Sequence, residues 1–315
     1  MKKMLAGLAL RAVIIAVAWL APLALLGSLT QHFPVGLRSQ NLAVADAPFD
    51  RGLLWRVERP GVQANYLFGT IHLADSRVTT LPGAVKQPFD AARSFTMEVA
   101  LDAAGVATLA ARMVFNDGRN LPGVAGESLF DRVVPLLEQR GLPRAFAGTL
   151  KPWAAMLMIS LPPQAPDDVL DVLLSRLAAE QRKREYFLET VEEQVAGFEE
   201  MSTGEQVALL RHAVETQADL PSLNRKLLDA YLQRNLALMW QVNESEVVKR
   251  PDLRALNDVF VQRLVYDRNA RMAQRMQQQL GQGGAFVAVG ALHLYGDRGV
   301  LSLLARSGWQ VTRIY

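Results

Sequence analysis

Two stretches at opposite ends of the chain share one pattern: Leu67-Phe68-Gly69-Thr70-Ile71-His72-Leu73 and Ala288-Val289-Gly290-Ala291-Leu292-His293-Leu294. Each is an apolar run, then Gly-x-x-His, then Leu. That reads as a strand ending at glycine and a loop that carries the imidazole beyond the sheet edge, the glycine allowing a sharp turn or a close approach. Loops beyond strand ends are where open α/β sheets place their sites. A single Gly-x-x-His says little, because a lone histidine near a strand is most often structural. Two copies in equivalent settings, in a chain with four histidines, point to one site shared by His72 and His293.

The flanking sequence supplies the rest of a sheet. Leu53 to Glu58, the turn Arg59-Pro60-Gly61 and Asn65 to Gly69 predict a hairpin. Phe95-Thr96-Met97-Glu98-Val99 and Glu185-Tyr186-Phe187-Leu188 predict two more strands. Near the end, Ala285 to Gly290, a helix around Val300 to Ser307, and Trp309 to Ile314 predict a right-handed crossover joining a parallel pair. Between the two ends, apolar residues recur at helical spacing over Ala104 to Val114, Val169 to Ala179, Val195 to Phe198, Gln206 to Val214 and Leu227 to Trp240, with one long helix from Leu253 to Leu280. Thr190 with Glu193, and Ser202 with Glu205, form capping boxes that start helices. The expected fold class is α/β: a central sheet built from both ends of the chain, surrounded by helices from the middle.

Ala12 to Leu29 is an uncharged run preceded by Lys2, Lys3 and Arg11. It has the length of a membrane-spanning helix, roughly 18–20 residues. A small-x-small cleavage site, Ala43-Val44-Ala45, lies well beyond it, so residues 1–30 read as an uncleaved transmembrane anchor rather than a removed signal peptide. The cationic N-terminus stays in the cytoplasm, which places the body on the extracytoplasmic or periplasmic side of the inner membrane. Residues 31–50, with His32, read as a linker and residues 51–315 as one domain. Residues 1–45 carry Lys2, Lys3, Arg11 and Arg38 and no acid; taking those four from the 34 basic residues leaves 30 against 31 acidic ones. A near-neutral body lacks the positive footprint that phosphate binding requires, so nucleic acid is not an expected partner. Cysteine is absent, which leaves His, Asp and Glu as the strong ligands.

Glu98 closes an apolar run, so its carboxylate sits either at the functional edge of the sheet or paired in the core. Two imidazoles and a carboxylate suit a divalent metal ion that keeps positions open for water, giving His72, Glu98 and His293 as candidate ligands. Alternatively Glu98 is a general base and the histidines act without metal. Leu264, Arg268, Met272 and Met276 recur every fourth residue, which puts Arg268 on an apolar stripe with Asn269 beside it. A buried guanidinium needs a carboxylate, either a substrate group or a structural partner. Glu189, just before the capping Thr190, reads either as a third acid near the site or as the partner of a helix N-terminus, the second being the plainer reading. No Gly-x-Ser-x-Gly elbow, Walker loop or dinucleotide fingerprint is present.

The chain resembles the TraB/GumN family, related to the TIKI proteins. The resemblance runs through LLWRVE, YLFGTIHL followed by LP, FTMEVALD, KPW at Lys151 to Trp153, LETVEEQ from Leu188, DRNARMA from Asp267 and VAVGALHLYGDRGVLSLLARSGWQV. It implies a metal-dependent site at His72, His293 and Glu98, with Arg268 and Asn269 matching the family's Arg-Asn pair; Glu98, Arg268 and Asn269 are the expected catalytic residues, Arg268 orienting the substrate or polarising its carbonyl. Val169 stands where the family often has Gly, two residues before Asp171. TIKI proteins are described as metal-dependent proteases, and TraB as a membrane protein that shuts down a peptide pheromone. The resemblance therefore implies a membrane-anchored metal-dependent hydrolase acting on a peptide or small-molecule substrate. The alternative is a non-catalytic, peptide-binding or pheromone-sequestering membrane protein.

Overall fold

The β-prone runs pair into one mixed sheet: β1 (Leu54–Glu58), β2 (Asn65–Thr70), β3 (Ser94–Met97), β4 (Arg184–Phe187), β5 (Ala285–Gly290) and β6 (Gln310–Arg313), in the order β4-β3-β5-β2-β1-β6. In this computed structural model the described residues are 49–73, 75–100, 102–161, 169–248 and 253–315. The apolar run proposed as a membrane anchor lies outside them. Among the described residues no helix is long and apolar enough to cross a membrane.

Strands β2, β5, β3 and β4 run parallel, while β1 is antiparallel to both β2 and β6. The predicted hairpin is present, and its turn places Pro60 before Gly61, whose φ of 78° is the left-handed conformation that glycine adopts without strain. Every residue of β5 is buried. That is why Ala285 to Gly290 is apolar throughout rather than alternating, as befits a strand covered on both faces. The expected parallel pairing of β5 with β6 does not occur. Both edges of β5 are taken by β2 and β3, so the helix Val300–Arg306 carries the chain over the hairpin to the open edge of β1.

Helices from the middle of the chain cover the sheet and build a second core of their own. Against the sheet, Phe89 meets Phe286 edge-on at 5.2 Å and Phe95 at 5.7 Å. In the helical core, Trp153 stacks on Phe198 at 5.4 Å. The Lys151-Pro152-Trp153 motif is thus a packing device: Pro152 opens the helix Pro152–Ser160, all nine residues of which are buried. An apolar helix with no polar face belongs inside.

Both capping boxes form as predicted, at Thr190/Glu193 and Ser202/Glu205. The predicted helical run from Leu227 to Trp240 is two helices, Leu220–Leu232 and Leu236–Val248, broken where Arg234 takes a φ of 55°. The long helix predicted from Leu253 is also not uniform. Arg254–Val261 passes into a π-turn at Gln262–Tyr266 before Asp267–Arg275 and Gln277–Gln282 follow.

Candidate functional site

The four parallel strands end on one edge of the sheet, and each delivers an ionisable side chain within three residues of its last member. His72 follows β2, Glu98 follows β3, Glu189 follows β4 and His293 follows β5. The two Gly-x-x-His turns lie against each other. A Cβ built on Gly69 would meet Leu294 Cδ1 at 2.8 Å and Ala291 Cα at 3.1 Å. Gly290 has an ordinary φ of −54°, and Gly69 has no positive φ either. Close approach, not a left-handed turn, is what Gly69 provides. Gly69→Ala is expected to cost about 1–3 kcal/mol by overpacking, read as a lowered denaturant midpoint; an unchanged midpoint would show that the turns have room to part.

His293 is fully buried, and its Nδ1 lies 2.6 Å from Asn269 Oδ1. The amide is oriented because its Nδ2 donates to the carbonyl of Arg298 at 2.9 Å. His293 therefore donates its Nδ1 proton to Asn269, which leaves a bare lone pair on Nε2. Nε2 has no hydrogen-bond partner among the described residues and stands 3.8 Å from Glu98 Oε1. Burial, with help from Arg268 and His72, lowers the pKa of His293 to about 3 against the pull of Glu98. The ring is neutral at any physiological pH.

His72 is held differently. Its Nδ1 is 2.8 Å from Asp171 Oδ2, close but not well aligned as a hydrogen bond, and its buried Nε2 is also without a partner among the described residues. Burial works against its charge, yet Asp171 and, more weakly, Glu98 outweigh that and raise its pKa above the usual histidine value.

Glu98 accepts from the Gly290 backbone N–H at 2.7 Å and from Arg268 Nη2 at 2.6 Å, with Gln194 Nε2 at 3.5 Å. Burial alone would protonate it. Arg268, His293, the Gly290 N–H and His72 reverse that and bring its pKa down to about 2. Arg268, 1% exposed, also donates from Nε to Glu189 Oε2 at 2.8 Å. Arg271 reaches Glu189 Oε1 at 2.8 Å. Glu189 is thus a buried member of a charge network and not the helix-end partner its place before Thr190 suggests. Just after the π-turn, Arg268 and Asn269 share one buried face of the helix Asp267–Arg275 with Met272 and Ala273.

Among the described residues no group of three or more His, Asp or Glu side chains already forms an ion-binding cluster. The donor chemistry nevertheless fits a divalent ion. Two imidazoles present buried, unpartnered Nε2 atoms, and each has an oxygen beside its Nδ1, the arrangement that orients metal-ligating histidines. The 3.8 Å between His293 Nε2 and Glu98 Oε1 is a gap that ligand bonds of about 2.0–2.1 Å can bridge.

Asp171, Gln194 and Tyr231 join the predicted residues. Tyr231 Oη donates to the Gly69 carbonyl at 2.9 Å. Asp171 was legible in principle, since it shares the buried face of the helix Leu170–Glu180 with Leu170, Leu174 and Ala178. A carboxylate on such a stripe calls for a partner just as Arg268 does. The remaining histidine within the described residues, His212, is buried on the helix Thr203–Glu215.

The model of the TraB/PrgY/gumN family matches residues 53–313, both Gly-x-x-His turns included. The chain belongs to the TraB/PrgY/gumN family. Its similar curated relatives are named metalloproteases. Metalloprotease TIKI1 of Xenopus tropicalis is 26% identical over 309 residues, covering 82% of this chain and 60% of the relative. Metalloprotease TIKI1 of Danio rerio is 27% identical over 308 residues, covering 82% and 62%. Metalloprotease TIKI2 of Xenopus tropicalis is 26% identical over 334 residues, covering 90% and 63%. The chain therefore spans about 60% of the length of the curated relatives it matches. No solved structure matches it. What this TraB/PrgY/gumN domain contributes is a sheet edge carrying two unpartnered imidazole Nε2 atoms and an ionised carboxylate.

Proposed function

We propose that the chain is a metal-dependent hydrolase of peptides, anchored in the inner membrane by residues 1–30 with its domain on the periplasmic side. The reading rests on one observation, the two buried and unpartnered imidazole Nε2 atoms, His293's standing 3.8 Å from Glu98. His72, Glu98 and His293 would hold a divalent ion, which when bound supplies Lewis acidity, polarising a carbonyl and lowering the pKa of a water to roughly 7. Asn269 keeps His293 in the tautomer whose Nε2 lone pair faces Glu98. Arg268 and the Gly290 N–H hold Glu98 charged at neutral pH, so its carboxylate can coordinate or take a proton from the attacking water. Arg268, clamped between two carboxylates, acts through Glu98 and not on the substrate. The metalloprotease names of the relatives support peptide as the substrate class.

The test uses the full chain purified in detergent micelles. Metal content is measured, and a mixed peptide library is incubated with Zn2+, Mn2+ or Co2+ and followed by mass spectrometry. About one ion per chain and new peptide termini are expected. Stoichiometric metal with every peptide intact but retained would support a sequestering protein instead, and absence of metal would remove the hydrolase reading.

A further inference from the structure

We propose that Asp171 is a positioning residue for His72, acting as the carboxylate of a carboxylate–histidine–metal relay; the inference rests on the metal reading above. Asp171 stands on a helix about a hundred positions away from His72 in sequence and is 6% exposed. One of its oxygens, Oδ1, accepts from the hydroxyl of Thr70, the last residue of β2, at 2.8 Å. The other, Oδ2, is thereby left beside His72 Nδ1 at 2.8 Å. Thr70 and His72 flank Ile71, so the carboxylate is bonded to the first Gly-x-x-His turn at Thr70 and stands in ion-pair range of its imidazole. Asp171 lies in the first turn of the helix Leu170–Glu180, where the helix dipole favours an anion.

The two imidazoles thus have unequal supports. His293 is held by a neutral amide and His72 by a carboxylate. A carboxylate on Nδ1 fixes ring orientation and tautomer, and it also raises the electron density at Nε2, making His72 the stronger donor. A purely structural role for Asp171 would need no histidine at this place. Thr70 and the helix end would satisfy it alone.

The experiment is a metal titration of the full chain in micelles, with Co2+ or Zn2+ competed against a chromophoric chelator. The proteins are wild type, Asp171→Asn, Thr70→Val, His72→Ala and the double variant His72→Ala/Asp171→Asn. Asparagine keeps the shape and the bond to Thr70 but not the charge, so folding should be retained, which the thermal midpoint of the metal-free protein checks. Asp171→Asn is expected to weaken metal affinity about 10–100-fold, and Thr70→Val to weaken it less. In the His72→Ala background, Asp171→Asn should have no further effect, because the ring it positions is gone. The inference is overturned by an Asp171→Asn protein that binds as tightly as wild type. It is equally overturned if the full loss persists without His72, which would mark Asp171 as a remote charge. Should His72→Ala itself bind normally, or wild type bind no ion, the metal reading falls and takes the inference with it.

Discussion

Replacing His293 with alanine is expected to strip the metal ion from the full chain and to lower peptide cleavage by at least on the order of 10²–10³-fold, the cost of losing a principal electrostatic stabiliser. The size of the effect follows from the ring's surroundings. His293 is fully buried, its Nδ1 is committed to Asn269, and its Nε2 has no use within the described protein. A neutral ring with an unshared lone pair in a buried position has given up solvation for no internal gain, which a ligand would restore. His72→Ala should also weaken metal binding and cleavage, leaving residual binding at high ion concentration, and the double variant should cleave no faster than either single one, since two ligands of one ion act as a unit. Removing His293 also leaves Asn269 Oδ1 unpartnered, so its variant should lose stability as well, by about 1–3 kcal/mol. Comparing metal content with denaturant midpoint separates the two consequences. A His293→Ala protein that retains its ion and its rate would end the assignment.

The sheet edge was readable from sequence because its signals are local. Glycine at the end of an apolar run, the Pro60-Gly61 turn and the Thr190 and Ser202 caps each act over a few residues, and each appears where expected. The long-range choices were not readable in the same way. β6 has the pattern of a β5 partner, and nothing within either strand announces that the hairpin has already filled both of β5's neighbouring places together with β3. The same holds at the site. Glu98, Arg268 and Asn269 stand out one by one, but their pairings, Arg268 with Glu98 and Asn269 with His293, join separate elements that no local periodicity discloses. Asp171 shares a buried face with Leu170, Leu174 and Ala178, but apolar spacing alone names no partner for it. Residue type thus pointed to the chemistry, while tertiary packing fixed which oxygen each imidazole and guanidinium would meet.

Arg268→Ala is expected to be the most destabilising single change in the domain, by about 3–5 kcal/mol, because it leaves buried carboxylates without their cation. Two acids depend on it: Glu98 at 2.6 Å and Glu189 at 2.8 Å, with Arg271 remaining as a second support for Glu189 alone. The pH dependence gives this prediction its sign. In the wild type, Glu98 has a pKa of about 2 against 4.5 for a free glutamate. Its ionised form therefore stabilises the fold above pH 4.5, and that contribution disappears as pH falls from 4.5 toward 2. At roughly 1.4 kcal/mol per pKa unit, a shift of this size is worth about 3 kcal/mol at neutral pH. Without Arg268 the burial of Glu98 loses its strongest counterweight, so the carboxyl titrates higher and protonation favours the folded state. The variant should then lie furthest below wild type near neutrality and approach it as the solution is acidified. Urea midpoints measured from pH 7 to pH 3 resolve this. A deficit of the same size at every pH would mean that Arg268 stabilises by packing its aliphatic stem, and the electrostatic account of Glu98 would have to be abandoned.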